Sequence, residues 1–212
     1  VVVAAAFCAV ALGAGTPLPD PGYPGFDELA KEKGRFKLTL VHPDADFSRY
    51  RALVATPIRL EFRGWGHQDG PQSTGSLVRK RDKPPTLLDR QGRQDLRRIV
   101  TDVVVMELDQ LDGYELVEEA GPDTLIVSAS VVDIVCRTRD AEPTVSQGTI
   151  VFDLIDAETG SIVARVSERR KVKRVKSEDS AVEPGPWADV EAWAESAAQD
   201  LRHELEEARI GF

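Results

Sequence analysis

Histidine, cysteine and basic charge are all in short supply in this chain. The three histidines, His42, His67 and His203, are not spaced with one another or with a cysteine in a metal-binding pattern. No metal site and no cofactor site are therefore expected. Two cysteines, Cys8 and Cys136, are too few for a disulfide framework. With 27 basic against 36 acidic residues the net charge is −9, which argues against bulk attraction to nucleic acid. Aromatics make up only 6% of the chain, so no basic surface studded with stacking rings is expected either. There is no Gly-rich phosphate loop, no nucleophile elbow and no internal repeat. Catalytic triads assemble from distant positions as well as local ones, so a missing motif does not by itself exclude an enzyme.

What is present is a β-rich centre from Asp123 to Lys173. Asp123–Arg137 carries Leu125, Ile126, Val127, Val131, Val132, Ile134 and Val135 without Pro or Gly, which reads as a strand. Gln147–Asp156 and Ser161–Lys173 read as two more. Side chains alternate along a strand, so Ile150, Phe152 and Leu154 share one face, with Ile162, Ala164 and Val166 as the matching row. The link Ala157-Glu158-Thr159-Gly160-Ser161 suits a three-residue hairpin loop with Gly160 in the left-handed region. Ala157 then faces Ser161, Leu154 faces Ala164, Phe152 faces Val166 and Asp153 faces Arg165. A one-residue slip would mix the faces. The second face holds Val151, Ile155 and Val163 beside Asp153 and Arg165, which suits partial cover or a surface that meets a partner.

The remainder divides by composition. Val1–Gly15 is uncharged and apolar, too short for the roughly 20 residues a membrane-spanning helix needs. It looks like the apolar and cleavage regions of a secretion signal without its basic start, with cleavage expected near Gly13–Gly15. The signal reading implies a truncated start or residues further upstream; a buried N-terminal segment is the plainer alternative. Cys8 is a candidate lipid-attachment residue, although Phe7 stands where a lipobox wants a small residue. Residues 16–35 form a Pro-rich arm or linker. Residues 36–212 read as a single domain.

Within that domain Phe36–Val41 alternates as an outer strand, with Phe36, Leu38 and Leu40 on one side. Ala52–Phe62 reads as another strand with Pro57 at an edge or bulge. Residues 63–86 form a long loop in which Trp65, between two glycines, is a candidate partner contact; a floppy insertion is the alternative. Gln91–Leu111 is helical, with Leu96, Val100, Val103, Val104, Leu108 and Leu111 as its apolar stripe and Asp112-Gly113 as its stop. Tyr114–Glu118 reads as a short strand. Pro186–Arg209 is a second helix, buried through Val190, Ala194, Ala197, Leu201, Leu205 and Ala208. The expected fold is α+β: a mostly antiparallel sheet of five or six strands with two long helices packed on one face.

Two patterns bear on function. Arg165, Arg169, Arg170, Lys171, Lys173, Arg174 and Lys176 cluster at the end of the third strand. Such a run blunts an edge, or it makes a patch for an acidic partner or an anionic envelope component, with Arg170, Lys171, Lys173 and Arg174 as candidate contacts. Asp133 and Asp153 are strand carboxylates that could serve as a paired acid and base; the hairpin register offers Asp153 a plainer fate, against Arg165.

Asp46-Phe47-Ser48-Arg49-Tyr50, Thr56-Pro57-Ile58, Gly113-Tyr114-Glu115-Leu116-Val117 and Gly121-Pro122-Asp123-Thr124-Leu125 follow one another in order. In this the chain, over roughly Gly25 to Leu205, resembles the bacterial family known as domain of unknown function 3313. The resemblance implies a Gram-negative envelope protein, often a lipoprotein, with no established activity and no catalytic residues to carry over. Its β–helix–β order is also distantly similar to auxiliary lipoproteins of envelope lipid transporters. The function expected is that of a non-enzymatic, exported binding or assembly module, periplasmic or peripherally associated with the outer membrane. An auxiliary role in an envelope transporter, and a hydrolase built on strand carboxylates, are the alternatives.

Overall fold

The computed structural model describes residues 22–62, 88–139, 142–171 and 187–210. Along the chain come β1 (Ala30–Glu32), β2 (Leu38–Val41), β3 (Ala52–Ala55), β4 (Arg59–Phe62), α1 (Arg90–Asp109), β5 (Glu115–Leu116), β6 (Thr124–Arg139), β7 (Glu142–Asp156), β8 (Ile162–Lys171) and α2 (Ala188–Ile210). One eight-stranded sheet runs β1-β2-β8-β7-β6-β3-β5, and β4 also pairs with β6. The fold is α+β, as expected. The sheet is larger than expected and mixed, because β3 and β4 run parallel to β6 and β5 runs parallel to β3.

Ala52–Phe62 is two strands, because Pro57, which has no N–H to offer a ladder, falls in the gap between β3 and β4. Both lie on the same side of the long β6, β3 against Thr124–Val127 and β4 against Ser130–Ile134.

The hairpin register is as the sequence implies at its centre: Asp153 faces Arg165, Leu154 faces Ala164 and Phe152 faces Val166. Nearer the turn it departs. A bulge shifts the pairing so that Ile155 faces Ile162, and the Asp156 N–H donates to the Ser161 carbonyl. One extra residue exchanges the two sides of a strand. Val163 thus packs on the main core, while Ile162 is buried outside it, opposite Ile155. Gly160 has φ 70°, the left-handed conformation that closes the turn.

The core lies between one face of the sheet and the two helices. Ile150, Phe152 and Leu154 of β7 meet the α1 stripe from Leu96 to Leu108 and the α2 stripe of Val190, Ala194, Ala197, Leu201 and Leu205. Trp193 joins them over Gly148, where a Cβ would stand 3.3 Å from its ring. Asp89 caps α1 by accepting from the Gly92 N–H at 2.7 Å. The helix ends at Asp109, earlier than Asp112-Gly113 suggests. Gly113, with φ 82°, instead turns the chain after Leu111, and a side chain there would collide with the Arg209 guanidinium. Phe36 enters the core and meets Phe152 edge-on at 6.1 Å. Leu38 and Leu40 do not share its side: they pair with Ser167 and Arg165 on the second face. Thr39 faces the core instead, because the alternation of the strand begins only after Phe36.

Candidate functional site

The second face of the sheet carries the charged centre that the sequence singles out. Ser128 of β6, Asp153 of β7 and Arg165 of β8 form one row across three strands. Asp153 and Arg165 are buried, and the guanidinium grips the carboxylate with both arms: Nε donates to Oδ1 at 2.5 Å and an Nη to Oδ2 at 3.0 Å. The Phe26 ring lies 5.0 Å from the Arg165 guanidinium carbon, a cation–π contact. The chain reaches this position through Gly25, in the left-handed region at φ 81°, and the Pro24 carbonyl, which accepts from the Ile162 N–H at 2.9 Å.

Chemically, Asp153 is a poor general base. Its two oxygens already accept charge-assisted hydrogen bonds from the Arg165 guanidinium. Among the described residues no histidine stands beside it: His42 pairs with Glu28 at 3.1 Å and His203 with Glu206 at 3.4 Å. Asp133 sits further along β6, beyond the point where Ser128 faces Asp153, so the two carboxylates are not brought together. Asp133 has φ 56°, beside an irregularity in the β6–β7 pairing.

A second polar centre, which composition and spacing did not single out, gathers on Asp156. Its Oδ1 accepts from the Glu158 and Thr159 N–H groups at 2.9 and 2.8 Å, closing the turn, and from the Thr159 hydroxyl. Its Oδ2 accepts from the buried Tyr50 hydroxyl at 2.8 Å and meets Arg49 at 3.0 Å. Burial pushes the Asp156 pKa up, but the Thr159 N–H, the Tyr50 and Thr159 hydroxyls and Arg49 outweigh it and hold the carboxyl below its ordinary value. Burial, followed by the hydrogen bond to Asp156, raises the Tyr50 phenol well above its ordinary range.

The segment Asp46–Tyr50 thus has a structural role. Asp46 accepts from the Ser48 N–H and hydroxyl, which lower its pKa, and so sets the single turn Phe47–Arg49. Phe47 enters the core, and Arg49 and Tyr50 tie this turn to the β7–β8 hairpin. The Tyr114 hydroxyl donates to the Phe47 carbonyl at 3.3 Å.

Of the candidate contact residues, Arg170 and Lys171 lie among the described residues. Arg170 bridges β8 to α2, meeting Glu168 at 2.5 Å, Ser196 at 2.8 Å and Asp200 at 3.0 Å. The Glu168 bond is the main reason its pKa is raised. Lys171 is exposed at the end of β8. Cys8, Trp65, Lys173 and Arg174 lie outside the described residues, as does the 63–86 loop. Cys136 is buried, and burial pushes its thiol up to about 11 against the opposing influence of Arg93. Among the described residues no group of His, Cys, Asp and Glu could hold a metal ion. No helix among them is long and apolar enough to cross a membrane.

These features define a class: an α+β domain whose large mixed sheet is backed by two helices on one face and stitched by a buried ion pair on the other. The chain belongs to the family described as protein of unknown function (DUF3313), whose model matches residues 18–201. Among solved structures it is similar to the PelC dodecamer from Paraburkholderia phytofirmans, with 13% identity, 84% of this chain and 96% of that chain covered, and a TM-score of 0.41. A protein from Xanthomonas campestris is 15% identical, with 82% and 89% covered and a TM-score of 0.37. A lipoprotein from Neisseria meningitidis is 10% identical, with 60% and 88% covered and a TM-score of 0.32. No curated protein matches the chain. At these scores none of the structures bears on function.

Proposed function

We propose that this chain is a non-enzymatic module of the Gram-negative cell envelope, exported to the periplasm, which works by contact with a partner. The observation that carries the reading is the state of the central carboxylates. Asp153 is spent on Arg165, and Asp156 is spent on Tyr50, Arg49 and its own turn. Groups held in this way build a fold; a general base must be able to reach a substrate proton. The same grip on Asp153 counts against a hydrolase built on strand carboxylates. Export is supported by the uncharged apolar run Val1–Gly15. For the partner, an acidic protein or an anionic envelope component, the candidate surface is exposed Lys171 with Lys173 and Arg174 beyond it, together with Trp65. Arg170 would contribute only by giving up contacts to Glu168, Ser196 and Asp200.

The test is to produce the full chain in a Gram-negative host, fractionate the cells and crosslink the envelope fraction before pull-down. Mass spectrometry of the purified protein's N-terminus, in the same experiment, reads cleavage near Gly13–Gly15 or acylation of Cys8. Recovery in the periplasm or outer-membrane fraction with a crosslinked envelope partner is the expected result. Recovery in the cytoplasm with Val1–Gly15 intact would overturn it.

A further inference from the structure

The helix layer carries segregated charge that the described residues leave unbalanced. Arg90, Arg93 and Arg97 of α1 recur at a spacing of three and four, which sets them on one flank. Arg93 stands 5.1 Å from the Phe62 ring of β4, whereas α1 meets α2 through Glu107 and Gln110, both bonded to Arg202. The three arginines border an open depression with Leu88, Gln94 and Asp89, whose carboxylate accepts from the Gly92 N–H at 2.7 Å. Arg93 is partly engaged, since its Nε donates to the Leu88 carbonyl at 3.0 Å. Arg90 and Arg97 are exposed and make no ion pair among the described residues. Like charges at this spacing repel, and Arg90 in the first turn also opposes the helix dipole.

Helix α2 is the reverse. Several of its carboxylates are answered at home: Asp200 by Arg170, Glu207 by Arg35 and Glu206 by His203. Glu191 and Glu195 are exposed, lie four residues apart, and meet no cation among the described residues; Glu195 accepts only from Gln199, at 3.3 Å. Among the described residues no ion pair joins this ridge to the arginine flank. Two complementary patches at different places on one surface are the requirement for a heterologous contact between identical subunits.

We propose that copies of this chain associate head to tail, the Arg90–Arg93–Arg97 flank of one docking on the Glu191–Glu195 ridge of the next. Such a contact closes into a ring or grows as a filament, according to the rotation between copies. It does not depend on the envelope reading above. Because the patches are exposed, the association weakens as salt shortens the Debye length from about 10 Å at 0.1 M to about 3 Å at 1 M.

Sedimentation velocity on the full chain, across a range of NaCl from about 0.05 to about 1 M, reads this directly. The expected result is assembly at low salt and monomer at high salt. Arg90→Glu with Arg97→Glu should abolish assembly, and so should Glu191→Lys with Glu195→Lys. Mixing the two reversed proteins should restore assembly in alternation, since one then carries acidic residues on both patches and the other basic residues on both, so that every flank meets a ridge of opposite sign. Placing all four reversals in one chain should restore assembly, because both halves of the contact invert together. Far-UV circular dichroism checks that each variant is folded. A monomer at every salt concentration, or assembly unchanged by either reversal, would overturn the proposal. So would failure of the fourfold reversal to assemble while folded. Loss of binding to anionic phosphatidylglycerol vesicles in the arginine variant, with no self-assembly in the wild type, would instead assign the flank to a lipid surface and also overturn it.

Discussion

The two faces of the sheet are held by different physics. On the helix-covered face, Ile150, Phe152 and Leu154 sit among Val, Leu and Ala from both helices, and the gain is the removal of apolar surface from water. That gain is non-directional, so it tolerates substitutions that keep volume. On the other face, Asp153 and Arg165 are buried in a row with Ser128, and the gain depends on angle and register. A one-residue slip would send Arg165 toward the helices and leave a buried charge unanswered. The apolar face thus supplies most of the burial, and the polar row makes one alignment of β6, β7 and β8 the cheapest.

The sharpest way to break that comparison is to remove one charge. Asp153→Ala leaves Arg165 buried without its carboxylate, and the expected loss is about 3–5 kcal/mol in urea denaturation. Asp153→Leu combined with Arg165→Met removes both charges and should recover most of it. A single variant within about 1 kcal/mol of the parent would mean that water or another group readily replaces the pair.

Tyr50→Phe comes next, because it deletes a buried donor to a charged acceptor; the expected cost is about 1.5–3 kcal/mol. The same site sets a response to acid. The folded pKa of Asp156 lies below its unfolded value of about 3.9, so its contribution is complete above that value and is lost as pH falls through the folded pKa. Between neutral pH and pH about 3, the parent should therefore lose more stability than Tyr50→Phe does. Parallel curves for the two proteins would show that the Tyr50 bond does not favour the ionised carboxylate.

Gly148→Ala tests the apolar face. The new Cβ would stand 3.2 Å from Val131 and 3.3 Å from the Trp193 ring. Overpacking of this kind costs about 1–3 kcal/mol. Trp193→Phe in the same chain should relieve part of the strain, and a double-mutant cycle measures by how much. Two additive losses would place the strain elsewhere.

How much of this was legible follows from which signals are local. The facing of Asp153 and Arg165 was readable because Gly160 and the alternation of β7 fix a hairpin register between neighbours in sequence. The helix stripes were readable for the same reason, although Trp193 and Ala198 are buried without having been marked, since an indole and a small residue at these positions fit a half-wet face equally well. The bulge beside Val163 was not readable: no Gly or Pro marks it, and it shows only as an exchange between Ile162 and Val163, two residues alike in hydrophobicity. The parallel pairing of β3 and β4 to β6 was hidden because its partners are far apart in sequence. The role of Asp156 was missed because a turn carboxylate looks solvated until Tyr50 and Arg49 arrive from far up the chain.

The smallest expected effect sharpens the comparison at that same carboxylate. Tyr50 and Arg49 both meet Oδ2 of Asp156, at 2.8 and 3.0 Å, but the Tyr50 side chain is buried while that of Arg49 is 45% exposed. An ion pair open to water on one side is screened and also costs the entropy of holding a long side chain. Arg49→Met should therefore cost about 0–1 kcal/mol, and the difference from the parent should shrink further in high salt. The neutral hydroxyl is expected to matter more than the full positive charge, because burial decides how much of an interaction survives competition from water. A larger loss for Arg49→Met than for Tyr50→Phe, in matched denaturation curves, would reverse that ranking and make the charge the chief tie between the Phe47–Arg49 turn and the hairpin.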